Sequence, residues 1–135
     1  MSKLLQRLRD PARSGVYRAS AAQAIEDATR GSALDVATID AGASVFDAMA
    51  RALDFPEWFG ANWDALEDCL SDLSWRAGEG HVLILRSYPA GDELGVLTDV
   101  LRAAAEYWAG RGKPFFAIFI DPQKRLALAD LYREA

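Results

Sequence analysis

The chain reads as an α/β protein, a small parallel β-sheet packed by helices. Three observations predict this. Val82–Leu85 and Phe115–Ile120 are unbroken apolar runs of strand length, the pattern of strands buried on both faces. Leu34–Ile39 alternates apolar residues with small or polar ones, which also reads as a strand. Helix-length amphipathic segments separate these runs, so successive strands are joined by crossovers and lie parallel.

Taken in order, Met1–Arg9 predicts a short amphipathic helix, stopped at Asp10-Pro11. Arg13-Ser14-Gly15 is a turn and Val16–Arg18 a short strand. Ser20 is the expected cap of a helix running to Arg30 and ended by Gly31. This strand and helix, 16–30, predict an N-terminal βα unit added to one edge of the sheet. A further helix starts at Ser44, with Val45, Met49, Ala52 and Leu53 at helical spacing, and breaks at Asp54-Phe55-Pro56. Asn62 is a good cap for the next helix. After the strand at 82, a loop over Ser87–Gly91 leads to a helix from about Glu93 to Ala109, stopped by Gly110-Arg111-Gly112. The last strand ends at Asp121-Pro122, and the tail to Ala135 has room for another short helix.

At 135 residues, 51% hydrophobic and 26% charged, the chain is expected to form one domain over 1–135 with a real core. No apolar run is long enough to cross a membrane. The basic, leucine-containing N-terminus reads as a helix more readily than as a secretory signal. A single cysteine cannot form an internal disulfide, which fits a reducing cytoplasm. No His/Cys set has metal-ligand spacing and no glycine-rich phosphate loop occurs, so no metal or cofactor is expected.

Charge is distributed unevenly about a net −5. Residues 54–79 hold seven acids and one base, Arg76; residues 1–18 hold five bases and one acid, Asp10. The acidic stretch repels phosphate backbones and attracts basic proteins, so no direct nucleic-acid contact is expected. The basic N-terminal stretch is read as a solvated helix. Within the acidic stretch, FPEWFGANWDALEDCLSDLSW (55–75), successive residues turn by about 100° in a helix. Trp63, Leu66, Cys69, Leu70 and Leu73 then share one side; Asp64, Glu67, Asp68, Ser71 and Asp72 share the other. Like charges at i,i+4 cost about 0.2–0.5 kcal/mol in a helix. Asp64 offsets this through the helix dipole, whereas Asp68 lies too deep to do so. No lysine or arginine lies between Asn62 and Trp75. A solvated face is the usual reading of such an arc, but folding gives no reason for this clustering and a cationic partner does.

This segment resembles the barstar family, the intracellular inhibitors of barnase-type ribonucleases. The pattern P-E-aromatic-aromatic-G-x-N-x-D-A-L-x-D-C-L is met by Pro56, Glu57, Trp58, Phe59, Gly60, Asn62, Asp64, Ala65, Leu66, Asp68, Cys69 and Leu70. The likeness extends more weakly over about 32–121, leaving N- and C-terminal extensions outside it. It implies a three-stranded parallel sheet, with strands near 34, 82 and 115, and a small basic ribonuclease as partner. That partner is blocked at its basic active site by the acidic helix, without chemistry. It also implies partner-binding roles for Trp58, Gly60, Asn62, Asp64, Glu67, Asp68 and Ser71. Gly60 is expected to adopt a backbone conformation that other residues avoid. Phe59 and the thiol of Cys69 are expected in the core, and His81, at the entrance to a strand, to be structural or exposed. Two positions depart from the family's prototype. Glu67 stands where the prototype has an aromatic, and the prototype's glutamate on the helix before the last strand falls on Tyr107, with Glu106 beside it.

These readings point to a cytoplasmic, non-enzymatic inhibitor of the immunity type, monomeric when free, with neither nucleic acid nor membrane as partner. The rival is a binding module of the same fold for a basic protein that is not a nuclease. A hydrolase using Asp64 and Asp68 ranks last, because an exposed helix face offers no pocket to shift a pKa.

Overall fold

A computed structural model describes residues 2–133. Its elements are α1 (Lys3–Leu8), a 3-10 helix (Pro11–Arg13), β1 (Gly15–Ala19), α2 (Ala22–Thr29), β2 (Asp35–Asp40), α3 (Val45–Ala52), α4 (Trp63–Leu70), β3 (His81–Ser87), α5 (Gly91–Ala109) and β4 (Phe115–Ile120). The four strands form one parallel sheet in the order β1-β4-β3-β2. The three strands expected near 34, 82 and 115 are therefore adjacent, and the added βα unit lies on the outer edge of β4.

Alternate rows of the sheet face opposite ways, as the period of two requires. Val16, Ala117, Leu83 and Ala37 are register partners on the face covered by α3, α4 and α5. The next row, Tyr17, Ile118 and Ile84, faces α1 and α2, where Leu8 and Ile25 are fully buried. β3 and β4 carry apolar residues on both faces because both are covered, which is why they read as continuous runs.

Several local expectations change. Ser20 does not cap α2: the cap position is Ala21, with no side-chain hydrogen bond, and the Ser20 hydroxyl accepts from Arg18 Nη2 at 3.2 Å. The tail forms no helix among its described residues. Leu126 and Leu128 pack against the α3–α5 side and Leu131 against the α1–α2 side, so the tail wraps the β1 edge. The Arg18 N–H donates to Ala129 O and the Leu131 N–H to Arg18 O, each at 2.9 Å. Arg18, counted among the solvated bases of the N-terminus, is in fact 2% exposed. Its guanidinium donates to Asp121 O at 2.6 and 3.1 Å and pairs with Asp130. A cation buried this deeply persists only when paired and hydrogen-bonded.

Candidate protein-binding site

The acidic helix is held on three sides. At its start, Asn62 Oδ1 accepts from the Ala65 N–H at 2.8 Å, the bond an N-cap makes to satisfy an orphan donor. Underneath, Leu66, Cys69 and Leu70 are fully buried, joined by Leu73 beyond the helix end. At its end, the indole Nε1 of Trp108 on α5 donates to Leu70 O at 2.7 Å. The helix stops at Leu70, with Ser71 as C-cap. Leu73 takes a φ of 49°, so the chain turns yet still drops a leucine into the core. Asp72 thus lies in a turn past the helix, where its carboxylate accepts from the Ser74 N–H at 3.3 Å.

The outer face carries Asp64, Glu67 and Asp68, all exposed. Among the described residues none of the three has an ion pair, since the acids that do are others. Arg76, the one base of the segment, is engaged elsewhere. Its Nε and Nη2 donate to the two oxygens of Asp35 at 2.8 and 2.7 Å, and its Nη1 to Asp54 at 2.9 Å. His81 Nδ1 lies 2.9 Å from Asp35 Oδ2. Burial alone would push the Asp35 carboxyl up, but the hydrogen bonds from Arg76 and His81 outweigh it and hold it below the usual range. The hydrogen bonds that Arg76 donates to Asp35 in turn raise the Arg76 pKa. Burial pushes the His81 pKa down, more than Asp35 draws it up. His81 is 2% exposed, so it is structural and not exposed.

The loop before the helix is packed by aromatics. Phe46 meets Trp63 at 4.9 Å and Phe55 meets Phe59 at 4.8 Å between ring centroids, both edge-on. Phe59, expected in the core, is partly buried and packs against the core cluster. Trp75 Nε1 donates to Leu53 O at 2.8 Å, tying the loop after the helix to α3. Trp58 is turned outward, 64% exposed, with its ring edge-on to Trp75 at 6.5 Å. Among the described residues only Val96 is a second exposed large hydrophobic.

Gly60 is not in the left-handed region; the residue that is, with a φ of 52°, is Ala61. The role of Gly60 is spatial. A Cβ there would lie 3.3 Å from Asn62 Nδ2 and 3.6 Å from Ala65 Cβ, crowding the cap. Asn62 likewise positions the helix, since its amide is taken up by Ala65 and, at 3.4 Å, by Gly60 O. Ser71 is half-buried at the C-cap. Glu106 and Tyr107 occupy the last turn of α5, where the Arg111 guanidinium sits 4.0 Å over the Tyr107 ring. Cys69 is a core thiol whose pKa is raised by burial and by the nearby Asp72 and Asp68, so it is no nucleophile.

The sequence reading missed the supports. Arg76 and His81 lie five positions apart, but Asp35 comes from a distant segment and Trp108 from another. One sign was present: Arg76 is the single base in an acidic stretch, and such a residue generally has a specific partner.

α4 thus presents three acids that have no ion pair among the described residues, close to the exposed ring of Trp58. A model of the barstar (barnase inhibitor) family matches residues 29–120. The chain belongs to the barstar family, an inhibitor family whose partners are ribonucleases. No curated protein matches the chain. α1, β1, most of α2 and the C-terminal tail lie outside the matched residues.

Proposed function

We infer that this protein inhibits a barnase-type ribonuclease by seating α4 in the enzyme's basic active site. The observation that carries this is the unpaired arc of Asp64, Glu67 and Asp68 on a helix fixed at both ends. A ribonuclease site is basic because it holds a polyanion. Carboxylates at fixed spacing stand in for substrate phosphates and accept charge-assisted hydrogen bonds from its arginines and lysines. Fixing the helix beforehand avoids ordering costs on docking. Trp58 supplies apolar contact, Gly60 and Asn62 hold the entry to the helix, and Ser71 extends the polar face by one turn. No chemistry, metal or cofactor enters this mechanism. The whole chain acts as one domain, monomeric in the cytoplasm when free and in a one-to-one complex when bound, as an immunity partner of a damaging nuclease.

The test is titration of the protein against a panel of small basic ribonucleases. Stoichiometric inhibition, insensitive to chelators and without consumption of the inhibitor, is expected. Absence of inhibition across the panel would favour the second reading, a basic partner that is not a nuclease. Glu67 in place of an aromatic and Tyr107 in place of a glutamate favour that reading, because they alter the chemistry of the docking face.

A further inference from the structure

Folding brings the two ends of the chain together into a second charged surface. Lys3, Arg7 and Arg13 line a cleft of about 230 Å³ beside α1 and the 3-10 helix. Arg7 also lines a second cleft, of about 310 Å³, with Lys124, Tyr132 and Arg133 of the tail. Because Arg7 belongs to both, the five cations follow one continuous surface. Of the described acids lining the two clefts, Asp10 accepts from the Ala12 N–H at 3.0 Å, and Asp130 pairs with the buried Arg18 and lies 3.9 Å from Lys124. Among the described residues Lys3, Arg7, Arg13 and Arg133 have no ion pair.

We propose that this stripe binds the phosphodiester backbone of a single-stranded nucleic acid. A line of cations along two adjoining polar clefts matches a linear polyanion, whose phosphates such a groove tracks. A lipid surface fits less well. Membrane-bound helices insert large apolar side chains, and the exposed ones here, Trp58 and Val96, lie on other elements. An acidic protein also fits less well, since such interfaces centre on an apolar core. The expectation that nucleic acid is excluded was drawn from the acidic stretch. It does not reach this surface, because Lys124 and Arg133 join the N-terminal cations only in the folded chain. None of the arc residues lines these clefts, so the proposal stands apart from nuclease inhibition.

The test uses the whole protein, without nuclease, and the fluorescence anisotropy of labelled oligouridylate and oligothymidylate. Binding is expected at low salt, with log K falling against log salt at a slope of about −2 to −3.5, as three to five contacts to a single strand require. Lys3→Glu with Arg13→Glu, and separately Arg133→Glu, each weaken it, because both ends of the stripe take part. Asp64→Ala with Asp68→Ala does not weaken it. Thermal melts confirm that each variant is folded. Binding of either oligonucleotide in this pattern supports the proposal. No binding at low salt, equal binding by folded charge-reversed variants, displacement by oligoglutamate of matched charge, or preference for phosphatidylserine vesicles would overturn it.

Discussion

The guanidinium of Arg76 grips both oxygens of Asp35, at 2.7 and 2.8 Å, across 41 positions of sequence. This one pair does two things. It ties the loop after the acidic helix to the first residue of β2, and it keeps the segment's single base away from the helix face. The anionic arc thus stays unneutralised because the fold uses its natural counter-ion elsewhere.

Removing Arg76 leaves Asp35, with a side chain only 10% exposed, without its main partner. Arg76→Met is expected to destabilise the protein by about 3–5 kcal/mol, as breaking a buried pair from one side does. Asp35→Asn in the same chain should recover part of that loss, because the uncompensated charge is gone. Urea unfolding of the three variants measures it; an Arg76→Met chain as stable as wild type would show that the pair contributes little.

His81 links stability to pH. Its pKa is lowered in the fold, so the unfolded chain takes up a proton first. Its contribution is therefore full above the ordinary histidine value of about 6.5 and is lost as pH falls below that. The lowered Asp35 and Asp121 carboxyls act in a separate, more acid window. Their stabilisation is present above the ordinary aspartate range and is lost as pH falls through their depressed folded values. His81→Asn, which keeps a donor near the Nδ1 position, should flatten the melting temperature between neutral pH and about 5. An unchanged slope would move the effect to another group.

Trp58 tests the apolar part of the site without touching the fold. Its ring is 64% exposed, so Trp58→Ala should change stability by no more than about 0.5 kcal/mol. Exposed aromatics that become covered on docking are frequent hot spots, and a loss of about 2 kcal/mol in partner binding is expected. Calorimetric titration with the inhibited ribonuclease decides it, and undiminished affinity would place Trp58 outside the interface.

Charge should steer the encounter. Residues 54–79 hold seven acids and one base; Asp54 pairs with that base, Arg76, and Glu79 with Arg9, which leaves the acids of α4 without an ion pair among the described residues. Raising salt to physiological strength should slow association markedly while changing dissociation less, since screening acts on separated charges. Stopped-flow association rates that stay flat over that range would contradict it.

Much of the architecture was legible because it rests on local pattern. Phe115–Ile120 and Val82–Leu85 are apolar on both faces and could only be covered strands. Asn62 before Trp63, Leu66, Cys69 and Leu70 marks both the start and the buried side of α4. The end of α4 was not legible, because Leu73 returns to the core through a left-handed turn and so continues the helical spacing beyond the helix. The tail misled for a similar reason: its leucines serve opposite faces of the sheet and not one side of a helix. Gly60 read as a backbone requirement, but what it supplies is space beside the cap, and the positive φ falls on Ala61. The pairings of Arg18 with Asp121 and of Arg76 with Asp35 join distant segments, and no local pattern announces them.

The central claim is tested most directly by the partner affinities of Asp68→Ala, Asp64→Ala, Glu67→Ala and Asp72→Ala, with a melt of each. Asp68 lies at the middle of the polar arc, between Asp64 and Ser71, where docking would strip its water. Asp72 lies beyond the helix end, already bonded to the Ser74 N–H. Truncating one member of a desolvated charge pair costs about 2–5 kcal/mol, a range drawn partly from barnase and barstar themselves. Asp68→Ala should fall within that range, Asp64→Ala should rank second, and Glu67→Ala and Asp72→Ala should lose less. All four should fold: at 64, 67 and 68 alanine favours the helix and removes a like-charge neighbour, and at Asp72 only the exposed bond from the Ser74 N–H is lost. A folded Asp68→Ala chain that binds as tightly as wild type would show that the face of α4 is not where the partner docks.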